Sequence, residues 1–188
     1  MPMPIDNQLT DYVSEENKIT QDVIDNLKEP RFVTACTPII ISRIHSYCKQ
    51  LLQFSKDKHD SKEVSYLINI ESLTLERVAL GDAHNVDITS FISLLQTQSH
   101  HYLVIHNHPS NLPFSPKDIR TLVSSEISVL IVLGNKGSIY ILEKTRSITS
   151  MEELRIAKEL VKYKLATVSF EDVIITLNMY EIYYTEII

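Results

Sequence analysis

Two histidines, a serine and an aspartate stand close together in the segment HNHPSNLPFSPKD, residues 106–118, and their types suit metal-assisted hydrolysis. His106 and His108 are spaced i, i+2. On extended backbone such a pair projects to one side, with Cα atoms roughly 7 Å apart. Imidazoles at that distance can converge on one ion. Neutral imidazole and carboxylate are ligands that zinc takes in open, catalytic sites. Asp118 is expected as the third ligand, which leaves a fourth position for water. Zinc lowers the pKa of such a water to about 7, so that hydroxide is available near neutrality.

Each piece also has an ordinary explanation. A Ser-x-x-Asp ahead of a helix is a variant of the capping box, which satisfies orphan backbone N–H groups and needs no metal. A lone His-x-His is weakly specific. The combination is what points to a site: an apolar run YLVI (102–105) leading into His106, a proline after His108, a short turn-rich loop, and then Ser115 at N-cap, Pro116 at N1 and Asp118 at N3 of a new helix.

The rest of the chain supplies elements to hold that segment. Residues 19–27 are expected to form a short helix with Thr20 as N-cap. A stronger helix opens at Thr37-Pro38 and should end near Lys56; Ile40, Ile44, Tyr47 and Leu51 fall at spacings of three and four and form a core-facing stripe. Residues 63–70 and 73–80 suggest two strands, with a turn at Gly81-Asp82. A short helix over 86–95, with Asp87 as a possible N-cap, precedes the strand that carries the histidines. The helix begun at Ser115 should end near Ser124 or Ser125. The apolar run 127–133 is a strand, Gly134-Asn135-Lys136-Gly137 a hairpin turn, and 138–142 its returning partner. Residues 151–165 and 171–184 look helical. The order predicts an α/β protein with a mixed sheet packed against helices.

Composition sets the class. The chain has 188 residues, 44% hydrophobic and 22% charged, which suits one domain with a proper core. Net charge is -6, with 24 acidic against 18 basic residues, a balance unfavourable to polyanion binding, so nucleic acid is an unlikely partner. The stretch KDKHDSK (56–62) is expected to be a solvated connection. Cys36 and Cys48 give neither a disulfide framework nor a zinc knuckle. The N-terminus lacks the pattern of a signal peptide and no apolar run reaches the roughly 20 residues of a membrane helix. A cytoplasmic protein is the simplest expectation; export as an effector or toxin stays open.

The wording His106-Asn107-His108-Pro109, then Ser115-x-x-Asp118, resembles the JAMM motif of the JAB/MPN metalloprotease family, and His106-Asn107-His108-Pro109-Ser110 is especially similar to its RadC-like bacterial and phage branch. The likeness covers residues 63–142. The spacer between His108 and Ser115 is one residue shorter than the common form, so the groove beside the site should differ. The resemblance implies a JAB/MPN-like sheet flanked by helices, with cytidine-deaminase-like layering: an N-terminal tail and short helix over 1–36, the metal-binding core over 37–145, and a C-terminal helical extension over 146–188. It implies Zn2+ held by His106, His108 and Asp118, a general base for which Glu63 is the best match, with Glu71 and Glu76 as rivals, and Ser115 as a support for the developing oxyanion. It also implies hydrolysis of an amide bond in a peptide or protein substrate, ubiquitin-like conjugates among them. The alternative is a RadC-like metal-binding scaffold without turnover, linked to DNA metabolism or to bacterial and phage conflict. The other histidines carry less: His84 is assigned a structural role, His45 lies on a helix, His59 in a charged loop, and His100 and His101 are expected to face solvent.

Overall fold

A computed structural model describes residues 11–34, 36–88, 91 and 102–188. Its centre is a six-stranded mixed sheet in the order β2-β1-β3-β4-β5-β6. The strands are β1 (Val64–Asn69), β2 (Thr74–Leu80), β3 (Tyr102–His108), β4 (Ile127–Gly134), β5 (Ile139–Lys144) and β6 (Ile182–Ile187). Only β3 and β4 run parallel; every other neighbouring pair is antiparallel. The parallel pair requires a crossover, and α3 (Pro116–Val123) supplies it.

Two apolar layers sandwich the sheet. On one face lie α1 (Gln21–Asp25) and α2 (Pro38–Lys58), which pack Ile24, Ile44, Cys48 and Leu51 against Leu103, Ile105 and Ile131. On the other lie α3, α4 (Ser150–Lys164) and α5 (Phe170–Asn178), which cover Val104, Leu130, Val132 and Leu142 with Ile119, Leu122, Leu160 and Val173. Alternation along β3 therefore sends even-numbered side chains to the α3 face and odd-numbered ones to the α2 face. The expected α/β class, with a mixed sheet between helices, is what the chain adopts.

Most helix starts follow their caps. Thr20, Thr37, Ser115, Thr149 and Ser169 each accept a backbone N–H with the side-chain hydroxyl, and Pro38 and Pro116 occupy the first helical turn. The stripe Ile44, Tyr47 and Leu51 is buried core, with Ile40 partly buried beside it. Cys36 and Cys48 are free thiols, and burial pushes the Cys48 thiol up to about 12.

Three expectations need correction. The helix predicted over 171–184 stops at Asn178; Glu181 takes φ 60, and the β-branched and aromatic run Ile182–Ile187 then pairs antiparallel with β5 as the edge of the sheet. The helical spacing of 171–178 does not carry past the turn at Glu181. The C-terminal segment is thus not only helical: it completes the sheet. The connection 56–62 is less solvated than expected, because α2 runs to Lys58 and Ser61 is buried, with Asp60 and Ser61 both at positive φ. The histidine strand does not stop before His106 but includes both rings. Most of the helix expected over 86–95 lies outside the described residues, as do His100 and His101. No helix among the described residues is long and apolar enough to cross a membrane.

Candidate functional site

β3 delivers His106 and His108 to the α3 face at the carboxyl end of the strand, as i, i+2 alternation demands. Both are buried. Their Nε2 atoms are 3.0 Å apart. The Asp118 carboxylate lies opposite, with Oδ1 3.5 Å from His106 Nε2 and Oδ2 3.6 Å from His108 Nε2. One ligand atom from each residue falls within 4.8 Å of the others, a group that could hold a metal ion. The ligand–ligand edges of a tetrahedral site with bonds of 2.0–2.1 Å are about 3.4 Å, so the three side chains need only small shifts to converge on one cation.

Surrounding groups prepare the ligands. His108 Nδ1 is 3.0 Å from the Leu112 carbonyl oxygen, an acceptor that orients the ring with Nδ1–H toward it and Nε2 toward His106 and Asp118. Burial pushes His106 down to about 4, with Lys117 and His108 adding to the effect against the pull of Asp118, so the ring is neutral at physiological pH. Burial alone would raise Asp118, but the two imidazoles and the Ser115 hydrogen bonds outweigh it and hold the carboxyl below its usual range. A neutral His106 and an ionised Asp118 are the forms in which those two side chains could hold a metal.

Asp118 reaches the histidines because the capping box at the start of α3 turns it inward. Ser115 N–H and Ser115 Oγ donate to Asp118 Oδ2 at 2.7 and 2.6 Å, and Asp118 N–H donates back to Ser115 Oγ at 3.2 Å. Capping the helix is thus compatible with the carboxylate facing the two imidazoles. The loop of residues 109–114 closes the distance, with Asn111 at φ 56. The Ser115 hydroxyl proton is committed to Asp118, so Ser115 can stabilise an oxyanion only by rotating away from its cap.

Glu63 is 5% exposed and lines a cavity of about 330 Å3 together with His108, Asp118, Ser115, Phe114 and Tyr163. Burial pushes its carboxyl up to about 8, the neighbouring Asp118 and Asp82 push in the same direction, and Lys117 and the Val86 N–H oppose them. Register explains why Glu63 rather than its rivals is here. Ser65 pairs with His106 across the β1–β3 ladder, so the residue two before it projects to the same face at the same end. Glu71 lies past Asn69, beside Tyr102 at the far end of the sheet, and Glu76 sits in the middle of edge strand β2, near the register shift, accepting from Thr74.

Several contributors were not visible in the sequence. Lys117 Nζ donates to Asn85 Oδ1 at 2.6 Å and ties the 82–86 loop to α3. Tyr163 of α4 lines the cavity and belongs to an aromatic chain running through Phe170 and Tyr184 to Phe114 of the motif loop, with centroid separations of 5.9, 5.6 and 6.4 Å. Asn107, the residue between the histidines, is fully buried on the opposite face. His84 lines the cavity and its backbone N–H donates to Asp82 Oδ1, while His45 and His59 bond to the carbonyls of Leu27 and Gly81 away from the site.

Comparison with protein-family models, curated proteins and solved structures returned no match to this chain. Its chemistry is therefore judged on geometry.

Proposed function

We propose that this chain is a zinc-dependent hydrolase of the JAB/MPN type that cleaves an amide bond in a peptide or protein substrate. The observation that carries the proposal is the joint placement of His106, His108 and Asp118 around one point, with Glu63 lining the same cavity. Supporting it are a mixed sheet with the histidines at the carboxyl end of a central strand and an inward-facing aspartate on the crossover helix.

When bound, a zinc ion supplies a Lewis acid for the scissile carbonyl and an acidified water. The protein residues divide the remaining work. Glu63 takes one proton from the attacking water and returns it to the leaving nitrogen as the C–N bond breaks, so a carboxyl, an amine and an unchanged Glu63 result. Glu63, which burial holds protonated, would ionise more readily beside a bound dication and so be ready to act as the base. His108 and Asp118 stay fixed through Leu112 and Ser115. The walls formed by Phe114, Tyr163 and the 83–86 loop exclude water and receive the substrate chain on either side of the bond.

The test is to measure bound metal in the purified protein, then compare wild type with Glu63→Gln and His106→Ala on a panel of peptides and ubiquitin-like fusions. Cleavage by wild type alone, with zinc retained in Glu63→Gln and lost in His106→Ala, supports the proposal. A protein that holds zinc but cuts nothing fits a metal-binding scaffold, and one that holds no metal removes both.

A further inference from the structure

The β1–β3 ladder ends at the pair Ser65 and His106, two register steps short of where Glu63 must be held against the histidine strand. The Glu63 main chain instead bonds toward β2: its N–H donates to Asp82 O at 2.9 Å and its C=O accepts from Gly81 N–H at 2.8 Å. What ties this stretch to β3 is a side chain. Asn107 Oδ1 accepts from Val64 N–H at 2.8 Å, and Asn107 Nδ2 donates to Lys62 O at 3.1 Å. Those two peptide groups immediately flank Glu63. The carboxamide thus extends the ladder, offering one acceptor and one donor where a strand would offer its own C=O and N–H.

Asn107 is itself immobilised. It is fully buried, and Nδ2 also donates to Asn135 Oδ1 at 2.8 Å and, at 3.4 Å, to Ser55 Oγ of α2. Ser55 Oγ in turn donates to Lys62 O at 2.6 Å, and Asn135 Nδ2 donates to Ser61 O and Asn17 O, both at 2.9 Å. The network grips the backbone from Ser61 to Val64. Because Asn107 lies between the two histidines on one strand, any shift of that strand would move imidazoles and Glu63 together.

We infer that Asn107 is a positioning residue that sets the Glu63 carboxylate against the His106–His108 pair by clamping the backbone on both sides of Glu63. The inference rests on the reading of Glu63 as general base. Neither Asp, Ser nor Gln fits both bonds: Asp lacks the donor, Ser has its donor and acceptor on one oxygen and is too short to span both peptide groups, and Gln is a methylene longer.

Cobalt(II) is the probe, because its visible absorption reports the surroundings of its open coordination position independently of turnover. The full-length chain is loaded with cobalt as wild type, Asn107→Asp, Asn107→Ser, Glu63→Gln and, as a control for general loosening, Ile44→Ala in the α2 core. Thermal melts accompany each spectrum. Both Asn107 variants are expected to bind one cobalt per chain yet lose the wild-type spectrum in the direction of Glu63→Gln, whereas Ile44→Ala melts lower and keeps it. On any panel peptide that wild type cuts, the Asn107 variants should lose about 10- to 100-fold in kcat with KM unchanged. The inference is overturned if a folded Asn107 variant keeps the wild-type spectrum and kcat while Glu63→Gln does not, or if Ile44→Ala changes the spectrum as much. A wild-type spectrum and kcat in Glu63→Gln would instead remove the general-base reading, and the inference with it.

Discussion

The Nε2 atoms of His106 and His108 face each other across 3.0 Å in a pocket where His106 is 3% exposed. His108 Nδ1 faces the Leu112 carbonyl, and the two Nε2 atoms are close enough either to share a proton as a hydrogen bond or to face a common cation. A divalent cation would take the place of that hydrogen bond. Zinc at about a thousandfold its Kd should therefore stabilise the protein by about 4 kcal/mol, read as a rise in the denaturant midpoint that EDTA reverses. His106→Ala should show no zinc-dependent shift. A midpoint indifferent to zinc in wild type would count against the metal site itself.

Glu63 carries a pH signature that the metal-free protein should reveal. Its carboxyl is pushed from an ordinary 4.5 up to about 8 by burial and by Asp118 and Asp82. Between those two values the folded chain holds a proton that the unfolded chain has lost, so stability falls as pH rises through the window. The loss is absent below pH 4.5 and complete above about 8. Glu63→Gln removes this slope. In metal-free form it should be more stable than wild type at pH 8 by roughly 4 kcal/mol and equal to it at pH 4. Parallel urea melts across pH 4–9 check both ends, and a constant difference would refute the assignment of the raised carboxyl.

How far this site could be seen in advance depended on how local each signal was. The His106–His108 alternation and the Ser115–Asp118 capping box are set by a few adjacent residues, and both stand where their spacing puts them. Glu63 is preferred over Glu71 and Glu76 already on the resemblance, but its place beside the histidines rests on the pairing of Ser65 with His106, which no local pattern encodes. β6 was missed because Ile182–Ile187 follows a genuine helix, and only the unpaired edge of β5 decides that it becomes a strand. Asn107 and Tyr163 acquire their roles from chain segments far away in sequence, so their types alone said nothing.

Ser65 stands opposite His106 with its hydroxyl buried and, among the described residues, without a hydrogen-bond partner. A buried hydroxyl in that condition costs about 1–3 kcal/mol. Ser65→Ala removes the cost with little loss of volume, and the metal-free protein is expected to gain roughly 1 kcal/mol. Equilibrium urea unfolding gives the sign directly; destabilisation would mean that the hydroxyl is satisfied in solution.

Ser115 combines a cap with the support of a ligand. Ser115→Ala deletes the acceptor for Asp118 N–H and the 2.6 Å bond to Asp118 Oδ2, while the backbone bond to Oδ2 remains. The lost cap should cost about 1 kcal/mol. Zinc affinity should also fall about tenfold, since a group that orients a metal-ligating carboxylate typically has such an effect. Competition with a chelator of known strength measures the second quantity apart from the first. Unchanged zinc affinity would restrict Ser115 to helix capping.

Tyr163 brings the C-terminal helices into the site. It lines the cavity with Glu63 and Asp118 and stands at the head of the aromatic chain that ends on Phe114. Its ring stands outside the His106–His108–Asp118 group, yet it lines the space that a substrate flanking group would fill. Tyr163→Ala should therefore leave zinc content unchanged and raise KM several-fold on an extended peptide, with a smaller effect on one truncated at the group nearest α4. Tyr163→Phe, which preserves the stack with Phe170, should behave like wild type. Equal losses on long and short peptides would show that the ring acts through folding and not through contact with substrate, and would return α4 to the role of a plain cover for the sheet.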